Sequence, residues 1–131
     1  MDSDNPDVSE MLATAYSSFY HWLKREDKTP SDISTAHWLL ARVHYKAKQT
    51  DLCCYHAEKT LATVSKNNLI GLDKVSALEV MSKSEVLKNN IENAKQYKNE
   101  GLALLEDLGA EIGEAEYGYC LEDYNAIELA G

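Results

Sequence analysis

The chain has 131 residues, enough for one domain with a buried core, and its formal net charge is −9. This charge disfavours general binding to nucleic acid or to an anionic membrane, because their phosphates would repel the chain. Apolar residues make up 44% of the sequence, so a folded protein is expected, and only two prolines and six glycines are present for the many turns of an all-β fold.

The sequence also indicates a compartment. No apolar run approaches the ~20 residues that span a bilayer, and the acidic first ten residues lack the pattern of a signal peptide. Three cysteines, two of them adjacent, do not form a disulfide framework. We therefore expect reduced thiols and a cytoplasmic protein.

Helical periodicity runs through most of the chain in order. A first helix is predicted over 7–25 and ends before Thr29-Pro30, since the residue before proline disfavours helix. Its apolar stripe has i, i+3, i+4 spacing and consists of Leu12, Ala15, Tyr16, Phe19, Tyr20 and Leu23. A second helix is predicted to begin at a cap formed by Ser31, Asp32 or Ser34 and to end near Lys48.

A third helix is predicted to start at Asp51 as its cap and to stop at the polar residues 66–68. The fourth is expected over about 72–87, before Asn89-Asn90, and the fifth starts at Ile91 and stops at Gly109. Whether a sixth helix forms within 110–131 is left undecided by the sequence. This segment is acidic and contains several tyrosines, and we expect it to dock on an exposed helix face. The prediction is a single all-α domain over 1–131, with five or six antiparallel helices.

An internal repeat appears when the chain is shifted by 41 residues. The shift aligns Ala36 with Ala77 and Leu61-Ala62 with Leu102-Ala103. It also pairs small or size-matched residues, Leu40 with Met81, Ala41 with Ser82, Cys53 with Ala94, and Thr60 with Gly101. Small side chains at these places let two helix axes approach to ~8–10 Å.

The segments 40–45 and 57–62 make the region resemble a tetratricopeptide repeat. The resemblance covers two helical hairpins, 34–67 and 72–108, and departs from the family at His44 and Glu85, where an aromatic residue is usual, and in a longer linker. It implies a non-catalytic module that binds a protein or peptide on the concave face of its hairpins, without a cofactor.

The resemblance also implies which residues bind the ligand, because the family's concave-face positions can be transferred to this sequence. The predicted ligand-binding residues are Trp38, Arg42, Tyr45, Lys46, Glu79 and Lys83, with Thr35, Ser76 and Val86 beside them. Independently of the family, Trp38, Arg42 and Tyr45 share one helix face, a combination typical of binding hot spots. The alternative is that Trp38 and Tyr45 pack in the core. Arg42 and Lys83 suggest a partner with an acidic side chain or a terminal carboxylate. A short stack also leaves an apolar end face, so self-association stays an open prediction.

Three other functions were weighed against this one. His37 lies in a segment similar to the histidine helix of phosphotransfer domains, but Leu40 and Ala41 replace the usual Lys and Gly, and a carrier role requires an exposed His37. A metal site would draw on His37, His44, Cys53, Cys54 and His56, which lack a compact ligand spacing. A nucleophilic pair of Cys53 and His44 has no third orienting group.

Overall fold

The computed structural model describes residues 6–127, with side chains at 10–21 and 23–127. Within these residues the protein is all-α, and its six helices are α1 (Pro6–Lys24), α2 (Pro30–Lys46), α3 (Thr50–Lys66), α4 (Leu72–Leu87), α5 (Ile91–Ile112) and α6 (Glu114–Asn125). None of these helices is both long and apolar enough to cross a membrane. The predicted fold class is confirmed.

The helices form two layers. Each helix packs on the next one in the chain, and in addition α2 packs on α4 and α4 packs on α6. The even-numbered helices therefore lie side by side, and α4 has neighbours on most of its sides. As a result almost every side chain from Val75 to Glu85 is buried, including the charged ones.

The four small residues predicted at helix crossings are all fully buried: Ala41, Cys53, Ser82 and Ala94. Ser82 and Ala94 meet directly, since Ser82 Oγ donates a hydrogen bond of 2.7 Å to the Ala94 carbonyl. Small side chains permit the close approach of α4 and α5 at this point. The contact supports the predicted register of this pair.

Two helix starts differ from the prediction. The cap of α2 is Thr29, not Ser31, Asp32 or Ser34, because the extended backbone that precedes Pro30 lets Thr29 Oγ1 accept from the Asp32 amide. The Asp32 side chain accepts from the Thr29 amide in return. In α3, Asp51 lies inside the first turn and the N-cap position is Gln49, whose side chain makes no cap hydrogen bond.

The helix ends agree better with the sequence, with one exception. α3 and α4 end at the predicted polar breaks, and Asn68 and Asn89 there adopt left-handed backbone angles. The prediction that the fifth helix ends at Gly109 was wrong, since α5 continues to Ile112 and is followed by Gly113 with φ of 84°. Gly109 instead lies against the Tyr117 ring, where a Cβ would be 3.2 Å from the nearest ring atom.

The described part of the C-terminal segment, up to residue 127, docks on the body, as predicted. Tyr124 of α6 is buried, and its hydroxyl donates to the Val75 carbonyl of α4. Tyr117 is half-buried, whereas Tyr119 is exposed. Around Tyr124 a core cluster joins Val75, Leu105 and Ile127.

Gly101→Ala is expected to lower the free energy of unfolding by about 1–3 kcal/mol, the usual range for overpacking. A Cβ at Gly101 would lie 1.8 Å from Tyr124 Oη, and the ring cannot retreat without losing its bond to Val75. Gly118→Ala is the matched control: nothing lies within 4 Å of that position in α6, so alanine should stabilise the helix by up to about 1 kcal/mol. Urea denaturation measures both, and equal effects of the two substitutions would contradict the close packing of α6.

Candidate functional site

Three predicted site residues, Trp38, Arg42 and Lys83, meet at the carboxylate of a fourth, Glu79. Trp38 Nε1 donates to Glu79 Oε1 at 2.8 Å, and Arg42 Nε lies 3.4 Å from Glu79 Oε2. The Arg42 guanidinium also covers the Trp38 ring, 4.5 Å from its centroid, a cation–π contact. One turn further along α4, Lys83 Nζ donates to Glu79 Oε2.

Glu79 and Lys83 are deeply buried, with 1% and 3% of their surface exposed. Buried charges persist only when they are paired, and the i, i+4 spacing on α4 brings these two together. Lys83 Nζ also lies 5.4 Å from the centroid of the Tyr45 ring, which is itself buried. Glu79, Lys83 and Tyr45 therefore hold α2 and α4 together.

A fourth charged residue, which the sequence analysis did not name, completes this network. Asp123 of α6 accepts from Arg42 Nη2 at 2.7 Å, so the guanidinium bridges α2, α4 and α6. Burial and the nearby Glu79 carboxylate raise the pKa of Asp123, although Arg42 acts in the opposite direction. The acid surplus of the C-terminal segment was the only signal for this contact.

Beside the network lies a cavity of about 640 Å³ with a basic lining. We call it the basic cavity; its lining residues are Met11, Leu39, Arg42, Val43, Tyr45, Lys46, Lys48, Lys83, Asn125 and Ala126. Four of these are cationic and none is acidic. Arg42 and Lys83 already bind carboxylates of the protein, whereas Lys46 and Lys48 are exposed and form no ion pair within the described residues.

Of the two exposed lysines of the basic cavity, one was predicted from the sequence and the other was not. Lys46, in the last turn of α2, was predicted from the repeat positions. Lys48 was missed, because it follows the helix in a left-handed conformation with φ of 58°, which helical periodicity does not report. Thr35 is exposed, and Ser76 and Val86 are half-buried, but none of the three lines the basic cavity.

A second cluster lies where α1 covers α2 and α3. His37 and His56 face each other with their Nδ1 atoms 3.0 Å apart, and the His44 and His56 rings stack with centroids 5.7 Å apart. Tyr16 and Phe19 of α1 make edge contacts with these rings. We call His37, His44 and His56 the histidine cluster.

Hydrogen bonding in this cluster requires a neutral ring in the pair His37 and His56. His44 Nδ1 donates to the Gln49 side-chain oxygen at 2.6 Å, and its Nε2 lies 2.8 Å from the Tyr16 hydroxyl, which can donate or accept. The His37–His56 contact needs one donor and one acceptor nitrogen, so it cannot form when both rings are charged. Burial lowers the pKa of His56 to about 4, with the two other imidazoles acting in the same direction, and burial lowers the pKa of His37 as well.

These positions bear on the alternative functions. His37 is buried, with 9% exposed, and is bonded to His56, which argues against a phosphoryl carrier. In residues 6–127 no group of three or more His, Cys, Asp or Glu side chains, the histidine cluster included, is arranged to hold a metal ion. Burial raises the pKa of Cys53 to about 12, the opposite of an activated nucleophile.

Comparison of the chain with protein-family models, with curated proteins and with solved structures finds no match.

Proposed function

We propose that this protein is a non-catalytic binding module for a protein or peptide ligand that carries carboxylate groups. The observation that carries the proposal is the basic cavity, with its four cationic side chains and no acidic one in a chain of net charge −9. An isolated basic depression in an acidic protein favours a small anionic segment over an extended polyanion.

The roles within the site follow from what is already paired. Arg42 and Lys83 have carboxylate partners in Glu79 and Asp123, which neutralise their charge, so these two cations fix the shape of the cavity wall. Lys46 and Lys48 are the side chains that a ligand carboxylate would pair with. Trp38 contacts Arg42 and Tyr45 contacts Lys83 through cation–π contacts, so these two rings support the paired cations.

Further parts of the proposal concern architecture and context. The buried small residues at 41, 53, 82 and 94 and the layered order of the helices support a tetratricopeptide-like hairpin stack. The three free cysteines support a cytoplasmic location. The exposed Leu52 and Tyr55 of α3 leave self-association open.

Lys46→Glu with Lys48→Glu is expected to weaken ligand binding by at least about tenfold, since two attractive contacts become repulsive. The probe is a set of short linear peptides selected from a random display library on the unmodified protein. Affinities of the selected peptides are then measured by fluorescence anisotropy for both proteins. The matched control is Lys95→Glu with Lys98→Glu, which changes the net charge equally on α5, away from the basic cavity.

Acidic peptides that bind the unmodified protein and the α5 control alike, but not the cavity variant, support the proposal. A selection that yields no binders, or binders whose affinity is the same for both variants, overturns it. Circular dichroism shows whether each variant remains folded.

A further inference from the structure

An apolar groove continues the basic cavity between α1 and α2. Its volume is about 480 Å³, and its lining residues are Glu10, Met11, Thr14, Ala15, Leu39 and Val43. Three of them, Met11, Leu39 and Val43, also line the basic cavity. The two hollows are therefore one continuous depression.

Polarity changes along this depression. Lys46 and Lys48 line only the basic cavity, the shared apolar side chains line both hollows, and Glu10 lines only the apolar groove. A ligand that fits must reverse this order: carboxylates first, an apolar side chain next, and a neutral or basic group last.

The middle of the depression can accept an apolar anchor. Met11 is 37% exposed and Leu39 is half-buried, so their side chains keep surface that a ligand could cover. The base of the depression is preformed, because Ala15, Leu40 and Val43 form a buried cluster in which α1 packs on α2. Burial of apolar surface on a preformed floor is how short segments gain affinity beyond their ion pairs.

We infer that the ligand is a short acidic segment of another protein that inserts an apolar side chain over Met11 and Leu39 while its carboxylates pair with Lys46 and Lys48. The inference rests on the proposed function and adds the order of chemical groups along the ligand. The difference in charge between the two hollows carries it, since Glu10 lines only the apolar groove, Lys46 and Lys48 line only the basic cavity, and the shared apolar residues line both.

The test uses the same selected peptides. We expect their sequences to have an acidic residue followed closely by an apolar one, or the reverse order in every peptide. Replacement of that apolar residue by serine should weaken binding at least about tenfold. Met11→Asp should do the same, whereas Leu52→Asp, at a similarly exposed apolar residue of α3 outside the depression, should leave binding unchanged.

Glu10→Lys tests the part of the depression that Glu10 lines. It should improve binding of peptides with an acid on that side of the anchor and weaken binding of those with a base there. Peptides that depend on Lys46 and Lys48 but not on Met11 or on their apolar residue would overturn the inference and leave the proposed function intact. Self-association that the lysine variant abolishes would assign the depression to a second copy, and tighter peptide binding by Glu128→Lys would assign it to the chain's own acidic end; either result also overturns it.

Discussion

Glu79→Leu is expected to lower the free energy of unfolding by about 3–5 kcal/mol, the range for breaking a buried ion pair. The substitution removes the acceptor for Trp38 Nε1 and the counter-charge of Lys83, which is only 3% exposed. An ammonium group left in that position has no other carboxylate within the ion pairs of the described residues. Chemical denaturation monitored by Trp fluorescence and circular dichroism measures the loss.

A double substitution separates lost pairing from lost packing. Glu79→Leu combined with Lys83→Met removes both buried charges and keeps similar volumes, so it should regain most of the stability lost in the single variant. Asp27→Ala is the control at an exposed ion pair, with Arg25, and should change stability by less than about 1 kcal/mol. If Glu79→Leu alone unfolds as readily as Asp27→Ala, the buried network does not hold α2 and α4 together.

The second large effect is acid destabilisation through the histidine cluster. Because the pKa of His56 is lowered in the fold to about 4, the unfolded chain binds a proton more readily below its ordinary pKa of about 6.5. Stability from the neutral ring is therefore complete above about pH 6.5 and is lost as the pH falls from there toward about 4. The loss from His56 is on the order of 3 kcal/mol over that window, and His37 contributes in the same direction.

The described side chains around the histidine cluster carry no negative charge that could stabilise a protonated ring. They are Tyr16 and Phe19 from α1, and Tyr55 and Lys59 from α3, while His37 and His44 of α2 and His56 of α3 face one another. In the hydrogen bonds and ion pairs of the described residues, none of the three imidazoles has a carboxylate partner. Protonation of these histidines therefore adds positive charge at the place where α1 packs on α2 and α3.

Urea denaturation between about pH 7.5 and 5.5 tests this, a range chosen to stay above the titration of most carboxylates. The unmodified protein should lose on the order of 1–2 kcal/mol across it. His56→Phe keeps an aromatic ring that cannot be protonated, so its loss should be clearly smaller. Equal pH dependence of the two proteins would exclude the histidine cluster as the cause.

The histidine cluster also shows where sequence reasoning was incomplete. His37 and His44 are seven residues apart on one predicted helix, and their common side was visible. Their joint contact with His56 depends on how α3 lies against α2. That contact shows that imidazoles first weighed as metal ligands instead pack and hydrogen-bond with each other beneath α1.

The position of α4 explains why the burial of its charged residues was not predicted from the sequence. Glu79 and Lys83 were predicted on a ligand-facing surface from the concave positions that the repeat resemblance implies, and charged side chains are ordinarily exposed. Contacts of α4 with α2, α3, α5 and α6 bury them instead. No local pattern distinguishes an exposed i, i+4 ion pair from a buried one, because burial is decided by the neighbouring helices.

The helices, their breaks at Asn68 and Asn89, and the small residues at the crossings could be predicted from the sequence, because periodicity and backbone preference act over a few neighbouring residues. The contact of Arg42 with Asp123, 81 positions away, and the position of the exposed lysines at the end of α2 beside an apolar groove between α1 and α2 became visible only in the folded structure. These features depend on the order in which whole helices stack. That order is set by the sum of many weak contacts between distant segments, which no single stretch of sequence contains.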